Sequence, residues 1–395
     1  MLTHWQRIVL VMLLPALVTV GCRDRSSPDL LRIGLAEEPR TLNVWLASDA
    51  NSRKVLSLIY QTLYVYDPKT LDMVPWLAQS LPVYDEAACS YTIALRAARW
   101  SDGSAFTSAD VAFTGRMIQS FKVPRYASNW SFIERIETPD ERTVVFYLKQ
   151  PMAAFLTGTL YTPIVQEREW AAIAEQAKAT ENPLAALFNH RVEHPVGTGP
   201  FTLSQWRSGA FLHLKRNVHF FGSGQTINGY LLGPYVDDLV YTVFGTSDVA
   251  ILALKKGTID MLWWPIQPGY IDNLRQNEDI ELFRNEKSAL YFIGFNVRRP
   301  PFDQAVLRRA VAYSIDRDFI VSRILQEQGS KMFSVIPAEN AFWYDDDLPR
   351  HGDGMDRADR IRAATRLLTE AGYSWAVPPV DGDGNLQSAS ELRLP

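Results

Sequence analysis

The sequence predicts an α/β fold with more than one domain, and three observations lead to this prediction. Short apolar runs that suit buried strands alternate with helical patterns, and residues 239–261 give a strand, a helix and a strand in succession. Residues 63–148 have mostly strand-like patterns with one helix among them. The chain of 395 residues is longer than one hydrophobic core usually organises, so we expect two or three domains.

Local patterns place the individual elements. Residues 31–35 form an apolar run typical of a buried strand, and Asn51 or Ser52 is expected to cap the helix that follows. Thr107 and Asp110 have the spacing of a capping box, which predicts a helix to about residue 121. Further strands are predicted at 63–66, 91–95, 143–148, 201–206, 211–215, 239–244, 259–261 and 289–295, and further helices at 247–256, from 303, from 316 to 325 and at 359–371.

The first 22 residues have the features of an export signal. Residues 8–20 are apolar but fewer than the ~20 that span a bilayer, and His4 and Arg7 precede them. The stretch LVTVGC, which ends at Cys22, resembles a bacterial lipoprotein cleavage site, although Thr19 replaces the expected aliphatic residue. We therefore expect a lipid on Cys22 and a mature protein tethered to a membrane surface. An ordinary signal peptide or an uncleaved anchor are the alternatives.

Composition excludes several classes of protein. Hydrophobic residues make up 47% of the chain and charged residues 21%, which is ordinary for a globular protein. A net charge of −4 without a basic cluster gives no electrostatic reason to bind nucleic acid. Of the two cysteines, Cys89 would lack a partner if Cys22 carries lipid, so we expect no disulfide. The histidines lack the spacing of a metal site, and we expect neither metal nor cofactor.

Six stretches, in this order, resemble the peptide and nickel class of extracellular solute-binding proteins. This family, family 5, contains the oligopeptide- and dipeptide-binding proteins of ABC importers. The matching stretches are EEPRTLN (37–43), LIYQTLYVYDP (58–68), RWSDGSAFTSADVAFT (99–114), VGTGPFTLSQW (196–206), KKGTIDM (255–261) and PPFDQAVLRRAVAYSIDRD (300–318). They cover most of the chain after the signal.

The resemblance implies a periplasmic-binding-protein-like fold, in which two α/β lobes close on a ligand about a hinge. It also implies an extra β-rich domain inserted in the first lobe. The expected domains are a signal peptide (1–22), a tether (23–30), a discontinuous first lobe (31–48 and 190–285), the inserted domain (49–189) and part of the second lobe (286–395).

The chain departs from the family at its end. Family members continue the second lobe beyond the stretch that corresponds to residues 371–373 and then return to the first lobe. On the order of 100 residues of that pattern are missing here. We therefore expect an incomplete second lobe, from a gene fragment or interrupted reading frame, with an exposed apolar edge that favours aggregation. A second lobe that is completed in a different way is the alternative. The acidic residue that pairs with a peptide's amino end in the family has no counterpart in this chain.

Aromatic residues after predicted strands are the first candidates for the ligand site. Trp263 and Trp264 follow the strand at 259–261, and each can bury ~150–250 Å² against a ligand. The resemblance places Tyr291, Phe295 and Asn296 near the hinge, and Asn296 could donate amide hydrogen bonds to a peptide backbone. Packing in the core or under the hinge is the alternative for the tryptophans, and a turn cap is the alternative for Asn296.

Two polar residues follow the first strand. Glu38 and Asn43 lie at the cleft mouth if the resemblance holds, and Glu38 could pair with a cationic group of the ligand. A solvated surface carboxylate is the alternative for Glu38. We interpret Trp100, Asp102 and Asp110 as structural, since they lie in a turn and a helix cap.

The sequence thus predicts a monomeric, lipid-anchored solute-binding subunit in the periplasm or on the cell surface. It would capture a peptide between its lobes and deliver it to ABC permease subunits in the inner membrane. Nickel, haem or an oligosaccharide are alternative ligands, because one fold serves many ligands. An envelope hydrolase and a non-functional remnant are alternatives of other classes. We expect no enzyme, since HExxH, GxSxG and Gly-rich phosphate-loop motifs do not occur in the sequence.

Overall fold

Residues 29–283, 290–338, 343–381, 385–387 and 391–393 are described by a computed structural model. They belong to two units, which divide after Pro265. The predicted signal peptide with Cys22 lies outside the described residues, as does nearly all of the predicted tether. The division lies 20 residues before the predicted lobe boundary at 285, and the predicted domain limits stay predictions.

The first unit contains both strands and helices. Its strands are β1 (Leu30–Leu35), β2 (Tyr64–Tyr66), β3 (Met73–Pro75), β4 (Val83–Asp85), β5 (Ser90–Ala94), β6 (Ile133–Asp140), β7 (Thr143–Leu148), β8 (Phe201–Arg207), β9 (Phe211–Arg216), β10 (Thr226–Ile227), β11 (Tyr230–Leu231), β12 (Asp238–Val243) and β13 (Met261–Leu262). Its helices are α1 (Ala50–Ile59), α2 (Ser108–Phe121), α3 (Pro124–Trp130), α4 (Glu167–Lys178), α5 (Pro183–Asn189) and α6 (Ser247–Lys255), with a π-helical turn at Phe155–Thr159.

A five-stranded sheet contains the predicted strand–helix–strand unit. Its order is β13-β1-β12-β9-β8, with β1 parallel to both β12 and β13 and with β9 antiparallel to β12 and β8. Helix α6 connects β12 to β13, as the sequence predicts, and Gly257 follows it with φ +66°. This left-handed conformation is the one that favours glycine after a helix. Strand β13 is shorter than predicted and begins at Met261.

A second sheet, β4-β5-β7-β6, is antiparallel throughout. Strand β7 has the predicted limits, and its alternate side chains Val144, Phe146 and Leu148 are buried. The predicted capping box at the start of α2 is confirmed, because Thr107 N–H donates to Asp110 Oδ2 over 2.9 Å. The cap of α1 was predicted wrongly: Asp49, rather than Asn51 or Ser52, accepts the bond from Ser52 N–H.

The predicted inserted segment shares its core with the five-stranded sheet. One cluster of buried side chains runs from Ile33 in β1 through Ile93 in β5 to Leu214 in β9. Four tryptophans, Trp45, Trp100, Trp130 and Trp170, are at most 1% exposed within it. Burial on this scale stabilises the first unit as one body.

The second unit has fewer strands. It contains α7 (Pro268–Arg275), α8 (Ala305–Ser314), α9 (Arg317–Phe319) with a π-helical turn at Ile320–Ile324, α10 (Arg357–Glu370), β14 (Ser374–Val377) and β15 (Glu391–Arg393). The helix predicted from residue 316 begins as α9, and Asp316 caps it by accepting a bond from Phe319 N–H. Helices α8 and α10 pack through Leu307, Ala310, Ala364 and Leu368.

The predicted strand at 289–295 is wrong for its described part. Residues 290–296 have no strand, although their β-branched and aromatic side chains favour one. A strand needs a partner for its backbone hydrogen bonds, and the only sheet in the described part of the second unit is the pair β14–β15. Local sequence cannot supply that information.

Candidate functional site

The carboxyl ends of three parallel strands meet at one edge of the five-stranded sheet. Leu35 of β1 is opposite Val243 of β12, and Gly34 is opposite Leu262 of β13. The β8–β9 turn reaches the same edge, since Phe211 is paired with Thr242. We call this the carboxyl edge. In open α/β sheets, ligands bind outside the carboxyl ends of the strands, so this edge is the candidate site in the first unit.

Trp263 is the first residue beyond β13 at this edge. Its N–H donates to Gly34 O over 3.2 Å, and its ring is stacked on Tyr241 with centroids 5.8 Å apart. Lys54 Nζ lies 5.1 Å from the centre of the Trp263 ring and donates to Trp263 O over 3.3 Å. The indole is thus held in one orientation while part of its surface stays accessible. Trp264, next in the chain, is also partly exposed.

Glu38 also lies at the carboxyl edge, but its carboxylate is engaged within the protein. Glu38 Oε1 accepts from Ser208 Oγ over 3.0 Å, and Oε2 accepts from Gly209 N–H over 2.9 Å. Gly209 has φ +73°, a left-handed backbone conformation that glycine adopts without strain. The carboxylate therefore ties the segment after β1 to the β8–β9 turn. A ligand cation would have to share these oxygens with the turn.

Asn43 differs from its prediction, because it is buried rather than placed at a cleft mouth. It is 1% exposed, and Nδ2 donates to Leu187 O over 2.8 Å and to His190 O over 3.1 Å. Its Oδ1 accepts from Trp45 N–H over 3.0 Å. With both ends of the amide paired, Asn43 stabilises the fold between distant segments, and we leave it out of the proposed site.

The other predicted contacts lie in the second unit, which we describe by itself. Tyr291 is 98% exposed, and Phe295 is half-buried with its ring 5.1 Å from that of Phe302. Asn296 Oδ1 accepts from Arg298 N–H over 3.2 Å, which is the geometry of a turn cap. The side chain of Asn296 therefore acts as a turn cap in the structure, which is the alternative to ligand contact given above.

Lys54 and Tyr241 were missed by sequence reasoning. Lys54 is on α1 and Tyr241 is on β12, and both contact Trp263 although they are separated from it by 209 and 22 residues. For Tyr241 the sequence offered one signal: the residue lies in the predicted strand 239–244, which ends at the same edge of the sheet as the strand before Trp263. For Lys54 the sequence carries no local signal.

Metal binding has no support among the residues described. They contain no group of three or more His, Cys, Asp or Glu side chains that could hold a metal ion. The carboxyl edge presents an aromatic face, an ammonium group and backbone groups at the ends of strands.

A comparison with known protein families assigns the chain to one of them. The family described as "Bacterial extracellular solute-binding proteins, family 5 Middle" matches residues 72–379, which is more than half of the chain. The chain belongs to this family. The resemblance inferred from the six sequence stretches is thereby confirmed, and so is the expected α/β fold of periplasmic binding proteins.

Relatives within family 5 are named as binding proteins. The oligopeptide-binding protein AppA of Bacillus subtilis is 25% identical over 363 residues, which cover 90% of this chain and 61% of AppA. Relatives from Brucella species are 26% identical over 315 residues, 80% of this chain and 55% of theirs. The chain thus spans little more than half the length of these relatives. The family is one of binding proteins, in agreement with the expectation that the chain is not an enzyme.

Solved structures of family 5 members share the fold. AppA of B. subtilis in complex with a nonapeptide matches with a TM-score of 0.72 and 22% identity, over 93% of this chain and 68% of AppA. NikZ of Campylobacter jejuni in complex with Ni(L-His) matches with a TM-score of 0.69 and 22% identity, over 93% of this chain and 66% of NikZ. At this identity the likeness concerns the fold alone.

Across the described part of the chain, helices long and apolar enough to cross a membrane are absent.

Proposed function

We propose that this chain is the solute-binding subunit of an ABC importer, held on a membrane by a lipid on Cys22. It captures peptides between two lobes in the periplasm or at the cell surface and delivers them to a permease. The observation that carries the proposal is the family 5 match over residues 72–379. The names of relatives such as oligopeptide-binding AppA support peptide as the ligand class.

The carboxyl edge has groups that suit a peptide. Trp263 and Trp264 offer apolar surface to side chains, and Lys54 places an ammonium group against the Trp263 ring. In the second unit, taken by itself, Tyr291 and Phe295 are the aromatic residues that the family resemblance assigns to ligand contact. Closing two lobes on a peptide removes its backbone and charged ends from water, so each must find a partner or it costs free energy. Selectivity would come from that requirement.

Native mass spectrometry of the protein lacking residues 1–22, mixed with a random peptide library, tests this function. We expect peptides to be retained intact on the folded protein, because a binding protein does not cleave its ligand. Retention of nickel with no peptide bound would move the ligand class to metal complexes. Release of amino acids would contradict the proposal and favour a hydrolase. A folded protein that retains neither would favour the remnant.

The anchor has a separate test in cells. Labelling with an alkyne fatty acid should mark the wild-type chain and the Cys89→Ser variant but not Cys22→Ser, since only Cys22 follows the signal segment. The Cys22→Ser protein should also leave the membrane fraction. A labelled Cys22→Ser variant would contradict lipidation at this residue.

A further inference from the structure

Two arginines from different helices meet at the segment that joins the carboxyl end of β1 to α1. Arg53 is on α1, and its Nε donates to Asp49 O over 3.3 Å. Arg125 is on α3, and its Nη1 donates to Ala47 O over 3.3 Å. The Cα atoms of Ala47 and Asp49 can be no more than about 7 Å apart, since only two residues of chain separate them. The two guanidinium groups are therefore fastened to one short stretch of backbone.

Tyr126 lies close to both of these arginines. It is 8% exposed, and its hydroxyl donates to Val44 O over 3.5 Å. The Arg125 guanidinium lies 5.6 Å from the centre of the Tyr126 ring. Burial raises the pKa of Tyr126, and the positive charges of Arg125 and Arg53 oppose that rise. Both charges thus act on one hydroxyl group, which places them in one neighbourhood of the first unit.

No carboxylate of the described residues forms an ion pair with Arg53 or Arg125. Asp49 is the acidic residue nearest to Arg53 along the chain, and its carboxylate accepts from Ser52 N–H over 2.8 Å. Both arginines are exposed, so a solute can reach them. Two positive charges that are held close together repel each other, and an anion bound between them removes this repulsion.

The geometry of the guanidinium group favours a carboxylate as that anion. Each guanidinium carries several N–H donors in a planar fork, and those left over by the bonds to Ala47 O and Asp49 O remain for a ligand. The fork matches the two oxygens of a carboxylate. Arg53 also directly precedes Lys54, whose ammonium group lies against the Trp263 ring at the carboxyl edge. A carboxylate held by the arginines would therefore lie close to the aromatic surface proposed for the ligand.

We propose that Arg53 and Arg125 form a carboxylate-binding site, through which the protein selects peptides that present a carboxylate group. This inference rests on the proposed function and narrows its ligand class. The carboxylate can come from the C-terminus of the peptide or from a Glu or Asp side chain, because both sources present the same pair of oxygens.

Competitive selection from matched hexapeptide libraries tests the site on the protein lacking residues 1–22. One library has a free C-terminus and Gln at a fixed position, a second has Glu in place of that Gln, and a third is the Gln library with an amidated C-terminus. The other positions exclude acidic residues. Each carboxylate that the site binds should enrich its library about tenfold or more among the retained peptides, as expected for charge-assisted hydrogen bonds.

The pattern of enrichment identifies the source of the carboxylate. Retention of Glu peptides above Gln peptides would support the proposal with a side-chain carboxylate as the ligand group. Retention of free C-termini above amidated ones would support it with the terminal carboxylate. Equal retention of all three libraries would overturn it.

Charge-removing variants show whether the two arginines are responsible. The double variant Arg53→Gln/Arg125→Gln should lose the enrichment and retain the three libraries alike. Arg142→Gln is the matched control and should keep the enrichment, since Arg142 is an exposed arginine in the turn between β6 and β7. Circular dichroism checks the fold of each variant, and the two single variants replace a double variant that does not fold. Enrichment that persists in the folded variants, or that Arg142→Gln loses equally, would overturn the proposal.

A probe without a peptide chain separates this proposal from the proposed function. Saturation-transfer NMR compares N-acetylglycine with N-acetylglycinamide, which has an amide in place of the carboxylate. If the wild type retains no peptide but favours N-acetylglycine, and the double variant does not, the arginine site stands and peptide capture fails. If peptides are retained without preference for a carboxylate, peptide capture stands and the arginine site fails. Equal transfer to both probes with no peptide retained would overturn both.

Discussion

The two units differ most in how much apolar surface they bury. In the first unit one cluster spans the five-stranded and the four-stranded sheet and encloses four tryptophans. In the described part of the second unit, the buried cluster consists of Leu307, Ala310, Ala364, Leu368 and Tyr373. Large apolar side chains such as Tyr291, Phe292 and Val335 are 98%, 77% and 75% exposed there. Since burial of apolar surface is the main favourable term in folding, the first unit should be the more stable of the two.

The largest expected effect on stability comes from replacing a phenylalanine by alanine in each unit and comparing the two variants. Phe146 is fully buried in the first unit against Phe155, at 5.3 Å between ring centres, whereas Phe292 is 77% exposed. Phe146→Ala should lower the free energy of unfolding of the first unit by about 3–5 kcal/mol. Phe292→Ala should change stability by no more than about 0.5 kcal/mol. Denaturant titration measures both, and a large loss in Phe292→Ala would show that the second unit is better packed than its exposed surface indicates.

One carboxyl group in each unit, Glu169 in the first and Asp318 in the second, should respond to pH in opposite directions. Burial raises the pKa of Glu169 from its ordinary value of 4.5 to about 7, so the folded first unit holds this proton more tightly than the unfolded chain does. The resulting stability is fully present below pH 4.5 and is lost as the pH rises through about 7, by up to about 3 kcal/mol. In the second unit, the hydrogen bond from Lys331 holds the pKa of Asp318 below its ordinary value. That contribution is present above the unfolded pKa and is lost as the pH falls.

Hydrogen-exchange mass spectrometry from pH 5 to 8 follows each unit separately and can check the Glu169 effect. Glu169→Gln should flatten the pH dependence of the first unit and leave that of the second unchanged. An equally steep loss of protection in Glu169→Gln, after correction for the intrinsic exchange rate, would assign the effect to another group.

Loss of a helix cap should have the smallest effect on stability. Each unit has a helix that is capped by an aspartate, so the same substitution can be made in both. Asp49 accepts from Ser52 N–H over 2.8 Å at the start of α1, and Asp356 accepts from Asp359 N–H over 2.7 Å at the start of α10. Replacing either by alanine should cost about 1 kcal/mol. Because the second unit has the smaller core, Asp356→Ala should expose α10 to exchange more than Asp49→Ala exposes α1. Greater exposure of α1 would reverse the ranking of the units.

Local signals in the sequence predicted local structure well. The Thr107–Asp110 capping box, strand β7 and the Gly257 helix end are each set by residues within a few positions, and the structure has all three. Pairings across long separations were not accessible. Asn43 finds its partners 144 to 147 residues away, and Glu38 finds its partners at 208 and 209. The strand predicted at 289–295 failed for the same reason, since strand formation depends on a neighbour as well as on propensity.

The affinity of a retained peptide for Trp263 variants tests the central claim, that the carboxyl edge of the first unit binds the ligand. Trp263→Ala should weaken binding about tenfold or more, as expected for loss of a central aromatic contact. Tyr235→Ala, at a residue that is 68% exposed and not at the carboxyl edge, is the control and should bind as the wild type does. Calorimetric titration of both folded variants gives the comparison. Equal affinity in Trp263→Ala and the wild type would contradict the account.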